Sequence, residues 1–180
     1  MLSRSLKTVL AAGLVVGIAS VSGQVFAASS GGSSNTTPTC INGKVWDKKT
    51  KKCVVPEQSS NLDDDNIYEA ARDLAYNRRY EEAIVVLELA ENKNDPRILN
   101  YLGYSNRKLG RVEKGLTYYA AALREDPDYT LVMEYMGEAF LQLGKVDKAQ
   151  ELLSEIEKRC GKDCREYTML ETEISRYQTQ

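Results

Sequence analysis

The sequence predicts an all-α fold built from repeated pairs of helices, on three observations. Beyond residue 66, apolar residues recur at steps of three and four, which is the period of one helix face. Glycine, proline and asparagine divide this part of the chain into segments of helical length. The sequence also matches itself when it is shifted by 34 positions, so the helices form a repeated unit.

Seven helices follow from the apolar period and the breakers between them. They are expected at about 66–76, 80–92, 97–109, 112–125, 129–143, 146–159 and 164–177. Gly110 and Gly144 lie where the chain reverses, and glycine adopts the left-handed backbone conformation at little cost. Asp126-Pro127 ends a unit, because proline cannot continue a helix and also restricts the residue before it.

The repeat is clearest between the second and third units. Leu102-Gly103 corresponds to Met136-Gly137, and the turn glycine Gly110 corresponds to Gly144. An earlier unit fits with a shortened connection, in which Asn77 or Arg78 replaces the turn glycine. A generic antiparallel helix bundle is the alternative, but nothing in a bundle requires the turn residues to recur every 34 positions.

This unit resembles the tetratricopeptide repeat (TPR) family, whose helix–turn–helix repeat has the same length. The residues that carry the resemblance are Leu102-Gly103, Gly110, Gly115, Ala122, Asp126-Pro127, Met136-Gly137, Gly144 and Ala149. The resemblance implies a right-handed solenoid of three repeats over 66–159. Residues 160–180 would then form a C-terminal capping helix and tail. Asp163-x-x-Glu166 predicts a capping box at the start of that helix.

The first 27 residues have the pattern of a secretory signal peptide. Arg4 and Lys7 form a basic start, Val9–Val21 is apolar or small, and Val25-Phe26-Ala27 suits a signal peptidase. A membrane anchor is the alternative, but the apolar run is shorter than the roughly 20 residues that a spanning helix needs. We therefore expect a secreted or periplasmic protein without stable membrane insertion after cleavage.

Two linkers and a small cysteine-paired segment are expected between the signal peptide and the helices. The linkers are 28–39 and 54–65, both too polar to bury a core. Between them, 40–53 is expected to be a hairpin closed by a Cys40–Cys53 disulfide, since export favours disulfides. Similar lysine-rich segments precede TPR domains in some secreted bacterial proteins. An exposed Trp46 would let this hairpin bind envelope glycan or another surface ligand. The alternative is a disulfide-closed hairpin that binds no ligand.

The remaining cysteines, Cys160 and Cys164, are expected to form a second local disulfide. Thiol–disulfide redox chemistry is the alternative function, because a thiol near a helix N-terminus is more reactive. Redox catalysts usually space their cysteines by two residues, which favours a structural bridge here. Two thiols in a chain without histidine cannot complete a tetrahedral zinc site.

Composition argues against several functions. Histidine, the usual general base, is absent from the sequence, so we expect no enzyme, no cofactor and no metal site. The formal net charge is -2. Positive charge is concentrated in the five lysines between Cys40 and Cys53, and the rest is acidic. A nucleic-acid-binding domain is usually basic, so nucleic acid is not an expected partner.

The resemblance implies a partner-binding groove on the first helix of each repeat. At the positions that face the groove in that family, this sequence has Tyr68, Arg72, Tyr76, Asn100, Tyr104, Arg107, Lys108, Glu134, Glu138 and Gln142. These side chains would otherwise be a solvated helix face. Aromatic and arginine residues are typical interface anchors. We expect a protein–protein interaction scaffold of the cell envelope that docks a peptide or protein segment there. Replacing Tyr104 and Arg107 with alanine is expected to weaken binding severely and leave the fold nearly intact.

Overall fold

Seven helices and one two-stranded hairpin make up the described part of this computed structural model, which is residues 38, 40–41, 44–55 and 62–179. The strands are β1 (Val45–Asp47) and β2 (Lys52–Val54). The helices are α1 (Asp64–Tyr76), α2 (Tyr80–Leu87), α3 (Pro96–Lys108), α4 (Val112–Glu125), α5 (Thr130–Gln142), α6 (Val146–Cys160) and α7 (Arg165–Gln178). The predicted all-α fold is confirmed, and all described residues belong to one compact unit, Asn35–Gln180.

The helices stack as three pairs followed by a seventh helix. α1 packs on α2, α3 on α4 and α5 on α6, and each pair packs on the next. The first helices also touch in series, α1 against α3 and α3 against α5. α7 contacts both α5 and α6, which is how the first helix of a fourth pair would be placed. The capping helix therefore extends the row of first helices.

Small residues set the distance between paired helices. An added Cβ at Gly103 of α3 would lie 2.6 Å from the ring of Tyr119 on α4 and 3.1 Å from the carbonyl oxygen of Gly115. At Gly137 of α5, the nearest atoms belong instead to Leu170 of α7. Gly137 therefore faces the next unit, because α7 occupies the position of a first helix.

Three turns have the left-handed backbone that the repeat requires. Gly110 and Gly144 have φ angles of 79° and 71°, and Arg78 takes the same role in the first unit with φ 62°. Of the two residues predicted to replace the turn glycine, Arg78 is therefore the one that adopts its conformation. The strain of this conformation in a residue with a side chain is a local weakness of the first turn.

Two helix ends differ from the prediction. α2 ends at Leu87, not near 92, because the N–H groups of Leu89 and Ala90 bond to carbonyls three residues earlier. The Asp64 carboxylate then accepts from the next two backbone N–H groups and holds the loop. At α7 the N-cap is Cys164, whose carbonyl accepts from Thr168 N, so the predicted capping box on Asp163 does not form.

The hairpin packs against the first helix pair. Cys40 and Cys53 are joined by a disulfide, and Val45 is fully buried in the same apolar cluster as Leu74. Arg79 Nη1 donates to the Cys40 carbonyl oxygen at 2.9 Å. These contacts fix the hairpin on α1 and α2.

Trp46 is half-buried, although the sequence analysis expected it to be exposed. It lies opposite Cys53 in the antiparallel register, between the buried residues Val45 and Asp47. Directly opposed residues share one face of a sheet, so the indole lies on the face that carries the disulfide.

The N-terminal predictions lie largely outside the described residues. This applies to the signal peptide, 1–27, to nearly all of the linker 28–39, and to the middle of the linker 54–65. The second linker ends early, since α1 begins at Asp64. Within the ranges that the structure describes, no helix is long and apolar enough to cross a membrane.

Candidate functional site

A cleft of about 500 Å³ opens along the row formed by α1, α3, α5 and α7. Each of these helices contributes side chains to it. The lining residues are Tyr76, Tyr104, Lys108, Glu134, Tyr135, Glu138, Gln142, Arg165, Met169, Glu173 and Arg176. The first helices therefore form one continuous recess, as the resemblance implied.

Tyrosine rings form one wall of the cleft. The rings of Tyr104 and Tyr135 lie 4.9 Å apart, and those of Tyr76 and Tyr104 lie 6.4 Å apart in an edge-to-face arrangement. The hydroxyl of Tyr101 donates to that of Tyr76 at 2.9 Å. Tyr76 is still 46% exposed at the mouth. These contacts hold the rings in fixed positions, so they offer a preorganised aromatic surface.

Arg107 lies beneath this surface rather than on it. Its residue exposure is 2%, and its Nη1 lies 2.6 Å from Glu138 Oε2. Its Nε donates to the hydroxyl of the buried Tyr119 at 3.3 Å. The expectation that Arg107 is open to a partner is wrong, because α3 turns this side chain inward between α4 and α5.

Glu134 is a buried carboxyl next to Glu138, one helical turn away on α5. Burial raises the pKa of Glu134 to about 8, and the hydrogen bond to Glu138 and the charge of Glu138 act in the same direction. Glu134 is only 3% exposed. Below that pKa the carboxyl of Glu134 is protonated and carries no charge.

The cations of the cleft come from two helices. Lys108 ends α3, with its Nζ 5.4 Å from the centre of the Tyr104 ring. Burial lowers the pKa of Lys108, and the charge of Arg107 lowers it further. Arg165 is the first residue of α7, and Arg176 near its end pairs with Glu173 at 2.6 Å. In the described part of the chain, neither Lys108 nor Arg165 forms an ion pair.

The structure brings six of the ten predicted groove residues into the cleft. They are Tyr76, Tyr104, Lys108, Glu134, Glu138 and Gln142. Of the others, Asn100 and Arg107 are buried, and the half-buried Arg72 has its guanidinium 5.5 Å from the centre of the Tyr76 ring. Tyr68 is half-buried with its ring against Tyr101. Partner binding by all ten stays a prediction.

The wall that α7 contributes was not predicted from the sequence. Met169 lies 34 positions after Tyr135, and Arg176 lies 34 positions after Gln142. Continuing the repeat register by one more helix would have placed Arg176 in a predicted groove position, whereas Met169 follows Tyr135, which lines the cleft but was not predicted to. Four residues of the capping helix line the cleft, which are Arg165, Met169, Glu173 and Arg176.

The second cysteine pair fixes the entry into α7. A disulfide joins Cys160, the last residue of α6, to Cys164, the N-cap of α7. The two sulfurs and the Glu166 carboxylate lie within 4.8 Å of one another. A sulfur in a disulfide is not a thiolate ligand, so this cluster could hold a metal only after reduction.

Comparisons with known proteins agree with this architecture. A family model described as tetratricopeptide repeat matches residues 106–174, and a second model with the same description matches residues 68–130. A comparison with curated proteins gave no match. The two family matches together run from residue 68 to residue 174, from within α1 into α7, and thus cover more than half of the chain. The chain belongs to the tetratricopeptide repeat family.

Proposed function

We propose that this protein is a non-catalytic scaffold of the cell envelope that docks a peptide or an extended protein segment in the cleft between its first helices and α7. The carrying observation is the cleft itself, a preformed recess of about 500 Å³ with aromatic and charged walls. Family membership supports a protein partner, because TPR domains are interaction scaffolds. The proposal assigns no catalytic step to any residue.

The lining suits side chains of an extended segment. A volume of this size falls within the range of roughly 300–1,000 Å³ of ligand pockets. The tyrosine wall offers large rigid contact area, and Met169, 42% exposed on α7, offers an adaptable apolar surface opposite charged groups. Aromatic anchors of this kind commonly dominate the binding energy of an interface.

The compartment is proposed from the sequence together with the cysteine chemistry. The N-terminal pattern of a signal peptide supports export. Both cysteine pairs are joined as disulfides, which persist in oxidising compartments. A secreted or periplasmic location is consistent with both features.

Capture of partners from envelope extract tests the proposal with two matched variants. Met169→Glu places a new charge in the cleft on an exposed position of α7. Val85→Glu makes the same change on α2, where the side chain is 58% exposed and outside the cleft lining. Both positions are exposed, so both variants should fold.

We expect Met169→Glu to lose the captured protein and Val85→Glu to retain it. Retention by both variants would contradict docking in the cleft. Loss on replacing Trp46 with alanine, with Met169→Glu unaffected, would move the site to the Cys40–Cys53 hairpin. Disulfide reductase activity that depends on Cys160 and Cys164 would contradict the non-catalytic part of the proposal.

A further inference from the structure

We propose that the docked segment is acidic, and that one of its side-chain carboxylates binds between Lys108 at the end of α3 and Arg165 at the start of α7. This inference rests on the proposed function, since it names the chemistry of the segment that the cleft accepts. It also gives α7 a binding role in addition to capping the stack.

Charge complementarity supports an acidic occupant. The cleft and the layer directly beneath it contain four cationic side chains, which are Lys108, Arg165, Arg176 and the underlying Arg107. They face three carboxyl groups, from Glu134, Glu138 and Glu173. The lining itself holds three of these cations and the three carboxyl groups. Burial raises the pKa of Glu134 to about 8 and keeps that carboxyl neutral below this pH, which leaves the lining with an excess of positive charge.

The pairing pattern shows where the excess positive charge lies. Glu138 is paired with Arg107, and Glu173 is paired with Arg176, both at 2.6 Å. Lys108 and Arg165 are left, within the described residues, as lining cations without an ion-pair partner. An incoming carboxylate would supply the partner that both of them lack.

The surroundings of Lys108 strengthen this site. Its ammonium lies against the Tyr104 ring and within reach of the charge of Arg107, in a partly desolvated position. A carboxylate there would relieve the repulsion between the two cations. Arginine can hold a carboxylate with two parallel hydrogen bonds, which makes Arg165 suited to orient it. Tyr135 and Met169 nearby would accommodate an apolar neighbour of the acidic residue.

The second disulfide holds Arg165 in place for this role. Cys164 immediately precedes Arg165 and is tied to Cys160 at the end of α6. The start of α7 is thus anchored on both sides, by the bridge and by its packing on α5 and α6. A guanidinium on an anchored first turn loses less conformational freedom on binding than one on a loose loop.

Fluorescence anisotropy with two matched peptides tests the inference. The first is a short fluorescent peptide that alternates leucine with aspartate or glutamate, and the second has asparagine and glutamine in place of the acids. Both carry an amidated C-terminus, so neither presents a terminal carboxylate. The proteins are the wild type, Lys108→Gln, Arg165→Gln and the control Lys114→Gln, which lies on α4 outside the cleft lining.

We expect the acidic peptide to bind the wild type at least about tenfold more tightly than its neutral counterpart. Lys108→Gln and Arg165→Gln should each remove most of that difference, and Lys114→Gln should preserve it. Raising the salt concentration should weaken the acidic peptide more than the neutral one. A folding check by circular dichroism accompanies each variant.

Equal affinity for the two peptides would overturn the inference. A preference for the acidic peptide that survives both cleft substitutions would also overturn it, as would a failure of both peptides to bind. If only an acidic peptide with a free C-terminus binds, the group recognised is the terminal carboxylate and the side-chain assignment is wrong. The proposed function is judged separately by the Met169→Glu capture experiment, so a neutral partner that still needs the cleft would overturn the inference alone.

Discussion

The guanidinium of Arg107 lies 2.6 Å from the carboxylate of Glu138, and the arginine side chain is completely buried. The pair connects α3 of the middle repeat to α5 of the third, directly under the cleft. A buried charge is stable only while its partner remains, because desolvation of an unpaired ion is expensive. The floor of the cleft and the stacking of the repeats therefore depend on the same contact.

Removing one member of this pair is expected to destabilise the fold. Glu138→Leu leaves Arg107 buried without its carboxylate and should lower the free energy of unfolding by about 3 kcal/mol or more. Arg107→Met should lower it less, since Glu138 remains partly exposed. The double variant should recover much of the loss. Urea denaturation of all four proteins measures the coupling, and additive losses would contradict a buried pair.

Gly103 and Gly137 should respond differently to alanine. At Gly103 the new methyl group would meet the fully buried Tyr119 ring and a backbone oxygen, so we expect a loss of about 2 kcal/mol or more. At Gly137 the nearest atoms are all side-chain atoms of the buried Leu170 and none is backbone, so a change of rotamer can relieve part of the clash, and the better helix propensity of alanine offsets more of it. Thermal melting curves compare the two; a larger loss at Gly137 would contradict the packing described.

Arg78→Gly is expected to stabilise the protein. Arg78 has φ 62°, in the region where a side chain costs about 1–2 kcal/mol and glycine is free of that strain. The greater freedom of glycine in the unfolded chain offsets part of the gain, so the net increase should be below about 1 kcal/mol. Chemical denaturation of Arg78→Gly beside Gly110→Arg checks this, because the second change introduces the same strain and should destabilise.

Stability is expected to fall as pH rises through neutrality. The folded-state pKa of Glu134 is raised to about 8 by burial, whereas the unfolded carboxyl titrates near 4.5. Between these values the folded chain holds a proton that the unfolded chain has released, so raising the pH favours unfolding. Glu134→Gln cannot titrate and should flatten the curve. Denaturation from pH 5 to pH 9 is the measurement, and an equally steep decline in the variant would assign the effect to another group.

The sequence was sufficient for features that repeat. The helical period, the turn glycines and the shift of 34 positions predicted the helix pairs, and they pointed to Arg78 as one of two residues for the first turn. Local bonding that lies outside the repeat was harder to predict. The loop after α2 is held by Asp64, which lies on another helix and reaches the loop only after folding.

The sequence predicted which helix faces form the cleft, but not which of their side chains line it and which lie beneath it. Sequence position places Tyr104 and Arg107 on neighbouring columns of α3, yet Tyr104 lines the cleft while Arg107 lies under it. The residues around an arginine in a helix do not indicate whether it will be buried against a carboxylate of another helix, such as Glu138. The burial of Arg107 and its ion pair with Glu138 argue against the expectation that replacing Arg107 spares the fold.

Site-specific photo-crosslinking tests the central claim most directly. A photoreactive phenylalanine derivative is placed at Met169 in the cleft or at Val85 on α2, both exposed, and the protein is irradiated in intact envelopes. We expect a discrete covalent adduct with a protein partner from position 169 and none from position 85. Adducts from position 85 alone, or equally from both positions, would contradict docking in the cleft.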